Sequence, residues 1–373
     1  MARTVQACAN HAATLQPMSP PRHGRRRRVR RQRQVLIVIL VLALVAIAAA
    51  KIHVFSTAAP STTTATSLGT TSSTPPPSRT SAVGIIALHL VEPPSAGLPA
   101  RSLETMVRYP ALGTPGGSIP DATPLHGASP YPLVVFSQGF DVAPEAYARL
   151  LNSWAAAGYV VADPAYPYTS PNAPGGVIRS DIVHHPADLS FVISSLLKAG
   201  AASSGTLSHL INPSAIGVIG QSDGGDVSLA AVANTCCRDA RIKAAVLLSG
   251  AELSWFPGTY FATPAVPLLV VQGTADQTMN PVTCSVQLYN AAPAPKFYLS
   301  MIGQDHFSAY IPAGPAQRVV TRVSIDFLDA YLRGSSAALR AMKTAGSVAG
   351  LAQLTEGAPV APVAGTCPDA PAN

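Results

Sequence analysis

Two kinds of apolar run alternate with polar sequence along the chain. One is long and single: "VLIVILVLALVAIAAA", residues 35–50, has no polar residue. The others are short and recur: "PLVVFS" (132–137), "YVVAD" (159–163), "AIGVIG" (215–220), "AAVLLSG" (244–250), "PLLVVQG" (267–273) and "KFYLSM" (296–301). Their continuous apolar and β-branched character predicts strands buried on both faces. Helix-period segments lie between them. "EAYARLLNSWAAAG" carries Leu150, Leu151 and Trp154, and "HPADLSFVISSLLKAG" has Pro186 near its start. "GDVSLAAVAN" follows the third run, and "TRVSIDFLDAYLRG" puts Val323, Phe327 and Tyr331 at four-residue steps. This alternation predicts an α/β fold with a mostly parallel central sheet and helices on both faces. "LETMVRYPA" (103–111) is expected to add antiparallel strands at one edge.

The long run has a different context. Nine arginines precede residue 34, and no acidic residue occurs before Glu92. A basic flank before an apolar run marks export, with the arginines left in the cytoplasm. As a helix, residues 35–50 reach about 24 Å, short of a ~30 Å hydrocarbon core, and continuing to Phe55 closes the gap because Lys51 can snorkel. Residues 1–34 therefore read as a basic cytoplasmic arm and 35–55 as a transmembrane signal anchor, with the body outside the cytoplasm at the cell membrane. The alternative is a secreted protein cut at the A-x-A pattern of Ala48 and Ala50. Residues 56–83, rich in Ser, Thr and Pro, read as a disordered spacer. Residues 84–346 read as the folded domain, and 347–373 as a loose Ala/Pro-rich tail that Cys367 can tether.

Charge follows the same division. The formal net charge is +7, yet beyond residue 50 there are 16 Lys and Arg against 18 Asp and Glu. The body is near neutral, which excludes a basic nucleic-acid-binding face. Outside the arm, Cys236, Cys237, Cys284 and Cys367 form an even set suited to disulfides in an exported protein. A bond between adjacent cysteines would strain the backbone, so Cys236 and Cys237 are each expected to pair with one of the other two. Four buried thiols are the alternative. No cysteine or histidine spacing suggests a metal, and no cofactor is expected.

Chemistry concentrates at "VIGQSDGGDV", residues 218–227. Ser222 ends a predicted strand and opens a predicted helix in a G-x-S-x-G pattern, where flanking glycines permit a very tight turn that lifts the hydroxyl clear of the sheet. A serine hydroxyl needs a base. His306, in "MIGQDHFSAY", follows the last predicted strand, and residues just beyond C-terminal strand ends converge on one crevice. Asp276, after the fifth run, is placed to orient that imidazole, giving the chain order Ser222, Asp276, His306. Asp305 cannot easily face the ring of its neighbour. Asp223 and Asp226 are expected to favour the helix N-terminus electrostatically. Backbone N–H groups of Asp223 and Phe140 are the expected oxyanion donors.

These motifs carry a resemblance. "RSLETMVRYP", "LVVFSQGF", "AAAGYVVADPAYP", "HPADLSFVISSLL", "GQSDGG", "PLLVVQGTADQTMNP" and "GQDHF" make residues 101 to about 335 resemble an α/β-hydrolase. More narrowly they are similar to the branch of chlorophyllases, platelet-activating-factor acetylhydrolases, dienelactone-hydrolase-like proteins and bacterial polyester hydrolases. The resemblance implies an α/β-hydrolase fold and a Ser222–Asp276–His306 triad cleaving carboxylic esters through an acyl-enzyme. Gln138 departs from it, standing where many relatives carry histidine. Only 16 residues, 251–266, separate the fourth and fifth runs, which leaves room for a minimal lid and predicts an open cleft. Its expected walls are Phe140, Tyr166, Tyr168, Trp255, Phe256, Phe307 and Tyr310, suited to a neutral small-molecule or lipid ester. An acyltransferase using the same triad and a non-catalytic binding module are the competing readings.

Overall fold

The computed structural model describes residues 80–95, 97–264, 266–277 and 280–369. The expected arm and anchor, and nearly all of the spacer, lie outside the described residues. Among the described residues no helix is long and apolar enough to cross a membrane.

Each of the six short apolar runs forms a strand. In chain order the strands are β1 (Ala82–Glu92), β2 (Arg101–Ala111), β3 (Ser118–Pro120), β4 (Tyr131–Ser137), β5 (Val160–Ala165), β6 (Ile211–Gln221), β7 (Ile242–Leu248), β8 (Leu268–Gly273), β9 (Lys296–Met301) and β10 (Ala352–Glu356). They form one sheet in the order β10-β9-β8-β7-β6-β4-β5-β2-β1-β3. The centre, from β5 through β4, β6, β7 and β8 to β9, is parallel. β2 and β1 extend one edge by antiparallel pairing, as "LETMVRYPA" predicts, and β10 closes the other edge antiparallel to β9. The helices are α1 (Ala148–Ala156), α2 (His185–Ala201), α3 (Asp223–Ala233), α4 (Val282–Ala291), α5 (Pro315–Leu332) and α6 (Ser336–Ala345).

Period-two alternation explains why the strands are apolar throughout. Leu133, Val135, Val218, Leu247 and Val270 point into one core with Leu189, Val192, Leu229 and Leu288 from α2, α3 and α4. Val134, Phe136, Ile219, Val246 and Val271 point into a second core with Trp154, Val323, Phe327 and Met342 from α1, α5 and α6. Both faces are covered, so neither alternate position is left polar. Two helices of the second face, α1 and α5, are also joined by a buried hydrogen bond, Trp154 Nε1 to Ser324 Oγ at 2.8 Å. The chain leaves β4 toward β5 on one side and continues from β6 toward β7 on the other. Loops at the C-terminal ends of β4 and β6 therefore part and leave a crevice.

Three expectations are corrected. Residues 347–369 are not loose. Leu354 pairs with Leu299 in the sheet, and the chain beyond it runs along α4. There Tyr289 Oη donates to the Ala358 carbonyl, and Asn290 bonds Val360 through both carbonyl and N–H. This path sets the disulfides. It brings Cys367 to within 4.8 Å (Cα to Cα) of Cys284 at the start of α4, and these two are bonded. Cys236 and Cys237, in the loop after α3, are left with each other and are bonded as neighbours, against expectation. At the other boundary β1 starts at Ala82, two residues inside the expected spacer.

Candidate active site

The turn between β6 and α3 is built by small residues. β6 ends at Gln221 and α3 begins at Asp223, so Ser222 alone makes the reversal, with φ 56° and ψ −127°. A non-glycine residue at positive φ stores strain, which the surroundings must hold. Close packing does so here. A Cβ on Gly220 would lie 1.9 Å from the Gly224 carbonyl oxygen, and one on Gly224 would lie 2.0 Å from that of Ser137. Only glycine fits at either place, and both flank the serine. The Ser222 N–H donates to the Leu248 carbonyl at 2.9 Å, which fixes the turn to β7.

Three side chains far apart in sequence meet at this turn. Ser222 Oγ lies 2.8 Å from His306 Nε2, and His306 Nδ1 lies 2.7 Å from Asp276 Oδ2. All three are buried, with Asp276 fully so. Chemistry assigns the tautomer: a carboxylate can only accept, so Nδ1 carries the proton and Nε2 is left to accept from the serine. The loops bearing the acid and the imidazole are tied by Ala275 N–H donating to the Gln304 carbonyl at 2.9 Å. Asp305 faces away and accepts from the N–H groups of Phe307 and Ser308, closing its own turn.

Buried polar groups that sequence reasoning missed hold this arrangement. Gln221 Nε2 donates to the His306 carbonyl at 3.0 Å, and Gln221 Oε1 accepts from Tyr147 Oη at 2.6 Å. Burial pushes the Tyr147 phenol well up, so it remains a donor. On the acid side Gln272 Nε2 donates to Asp276 Oδ2 at 2.8 Å. Behind it Asn280 Nδ2 donates to Asp226 Oδ1 at 2.9 Å, and the Ala251 N–H donates to the same oxygen at 2.6 Å. Burial, then the nearby Asp223 charge, pushes the Asp226 carboxyl well above its usual range. Asp226 thus serves the interior more than the helix terminus. Gln221 and Gln272 had a visible signal, each being an amide at the end of an apolar strand. Tyr147 and Asn280 had none, because their partners lie 74 residues and 54 residues away.

The expected oxyanion donors are free to act. Among the described residues, the N–H groups of Phe140 and Asp223 donate to no other protein group. The neighbouring Gly139 N–H is engaged by Tyr147 Oη at 3.4 Å. Gln138 is buried and bonded to Ser170 Oγ at 3.1 Å, so it packs the loop from behind. The Asp223 side chain is held by Arg179, through Nε at 2.9 Å and Nη2 at 2.8 Å. Arg179 also bonds Asp369 at 3.1 Å and lies over the Trp255 ring at 5.1 Å. These bonds, foremost the one to Asp223, push the guanidinium further up.

The expected wall residues divide. Trp255 and Phe307 are exposed, with Phe307 edge-on to the His306 ring at 4.9 Å. Phe140 and Tyr168 are half-buried, and Arg101 lies over the Tyr168 ring at 5.6 Å. Tyr166, Phe256 and Tyr310 are in the interior instead. Tyr166 stacks on His185 at 3.9 Å and bonds Ser137 Oγ, Tyr310 donates to the Val271 carbonyl, and Phe256 joins the first core. Loop position alone does not separate an aromatic that rims a cleft from one that closes a core. Among the described residues the chain forms no helix between β7 and β8. That connection lines a cavity of about 680 Å³ with Glu252, Tyr260 and Phe261, which Gln287 and Val363 complete. Burial pushes the Glu252 carboxyl up to about 7. Among the described residues no cluster of His, Cys, Asp and Glu could hold a metal ion.

Fold and site together define an α/β protein with a buried serine–imidazole–carboxylate relay at the C-terminal ends of parallel strands. No family model matches the sequence, and no curated protein matches it.

Proposed function

We propose that the protein is a serine hydrolase of the α/β-hydrolase fold that cleaves carboxylic esters. The observation that carries this reading is the continuous relay from Ser222 Oγ through His306 to Asp276, at 2.8 Å and 2.7 Å. His306 Nε2 takes the hydroxyl proton as Oγ attacks the ester carbonyl, and Asp276 stabilises the imidazolium that forms. The N–H groups of Asp223 and Phe140 receive the negative oxygen of the tetrahedral intermediate. His306 returns the proton to the leaving alcohol, and water then repeats the sequence on the acyl-enzyme.

The exposed apolar rings of Trp255 and Phe307 support a neutral acyl or aromatic ester as substrate. The two disulfides support a domain outside the cytoplasm, in keeping with the basic arm and apolar run before it. A fluorophosphonate probe tests the chemistry. Wild-type protein should label and S222A should not, and p-nitrophenyl esters of graded chain length should be hydrolysed in the same order of variants. Equal labelling of both, or of neither, refutes the reading.

A further inference from the structure

Asp223 is an awkward neighbour for an oxyanion site. Its backbone N–H is one of the two donors in the reading above, yet its side chain is a carboxylate only 5% exposed. A negative charge next to that N–H opposes the charge that develops on the substrate oxygen. The structure places one cation against it. Arg179, in the 3-10 turn Arg179–His184, meets both carboxylate oxygens with its fork and is itself only 18% exposed. Low exposure keeps the pairing from being screened away, unlike Lys343–Glu356, where both side chains are nearly half exposed.

Arg179 is fixed from two further sides. Asp369 bonds its Nη1, and Trp255 covers its face. The Asp369 carbonyl in turn accepts from the Ser254 N–H at 2.7 Å, one residue from Trp255. Two residues before Asp369 is Cys367, bonded to Cys284. The strap of residues 352–369 thus reaches the guanidinium that covers Asp223.

We propose that Arg179 is a positioning residue for the reaction: it neutralises the Asp223 carboxylate so that the adjoining N–H can stabilise an oxyanion, and the disulfide-tethered strap holds it there through Asp369. The inference rests on the hydrolase reading and goes beyond it. A purely structural salt bridge would affect stability, whereas this role ties the effect of Arg179 to the charge at 223.

A charge cycle separates the two. Turnover of p-nitrophenyl butyrate and thermal unfolding are measured for wild type, R179M, D223N, R179M/D223N and R179K. R179M should lower kcat by at least about tenfold with little change in KM. It should also move the acid limb of the kcat/KM profile to higher pH, because an uncovered carboxylate favours the protonated imidazole. In the D223N background the same R179M substitution should change kcat by less than about twofold and leave the limb in place. R179K, which keeps the charge without the fork, should fall less than R179M. An equal loss in both backgrounds, no loss in either, or an R179K variant as poor as R179M overturns the proposal. Should R179M fail to fold, R179Q takes its place with the same expectations. Ser222-dependent labelling of wild type comes first: its absence overturns the hydrolase reading and this inference with it, while labelling with a flat charge cycle overturns this inference alone.

Discussion

Replacing Tyr147 by phenylalanine tests how the interior supports the site. Tyr147 is fully buried, and its ring packs on Phe136 at 4.8 Å between centroids. Y147F keeps that packing and removes one oxygen, so the cavity left behind is smaller than a methyl group and adds little. The lost oxygen is the donor to Gln221 Oε1 at 2.6 Å and the acceptor of the Gly139 N–H at 3.4 Å. Gln221 is itself fully buried, so no water replaces the lost donor. Leaving a buried acceptor unpaired costs about 1–3 kcal/mol, which at this domain size lowers Tm by about 2–4 °C per kcal/mol. The same amide holds the His306 carbonyl at 3.0 Å, so a loosened Gln221 loosens the imidazole. Small misplacements of a catalytic group are expensive, and kcat should fall about tenfold. Calorimetric unfolding and p-nitrophenyl butyrate turnover read the two effects. A cycle with Q221M should give a coupling of about 0.5–3 kcal/mol. Stability within about 0.3 kcal/mol of wild type, or full additivity with Q221M, would show that the hydroxyl carries no such load.

Three further predictions address other parts of the molecule. D276N should lower kcat by about 10³-fold or more while circular dichroism and unfolding stay near wild type, because the amide presents the wrong partner to Nδ1; near-normal turnover would place the acid elsewhere. Glu252, pushed up to about 7 by burial, holds its proton in the folded state when the unfolded chain has lost it. Its contribution is therefore complete below the unfolded pKa near 4.5 and is lost as pH rises through about 7, worth at most about 3 kcal/mol before solvent screening reduces it. E252Q should flatten the fall in Tm between pH 5 and pH 8, and parallel curves would refute the cause. C367S opens a bond between residues 83 apart and should cost about 2–5 kcal/mol. It should also expose the chain beyond Glu356 to limited proteolysis, and a tail that stays resistant would show that its hydrogen bonds suffice.

What the sequence made legible follows from how far each signal reaches. The six central strands and four of the helices carry their patterns locally, and each is found near its expected bounds, the largest offset being α5, which starts at Pro315 rather than Thr321. Ser222, Asp276 and His306 were legible because a parallel sheet sends C-terminal strand ends to one side, so topology does the work that spacing cannot. α4 and α6 were passed over: "VTCSVQLYNA" mixes buried Cys284 and Ser285 with Val286, Leu288 and Tyr289, and "SAALRAMKTA" buries only Ala338 and Met342. β10 has only five residues and one buried position, too little for alternation to register. Cysteine pairing failed for a related reason. It was argued from the cost of one local bond, whereas the path of the tail along α4 decided it.

That same path changes what counts as part of the site. Composition assigns the last residues to a loose end, because Ala and Pro offer little apolar surface to bury. The order of residues 352–369 comes from elsewhere: a strand pairing at β10, amide bonds to Asn290, the bond to Cys284 and the ion pair of Asp369 with Arg179. Each tie is weak evidence alone, and together they carry the chain from one edge of the sheet to the guanidinium that faces Asp223. Under the proposed mechanism, Asp223 beside Ser222 is tolerable as an aspartate only in this company. A substitution at Asp369, 190 residues from Arg179, should therefore act on turnover through Arg179 and vanish as an independent effect in R179M.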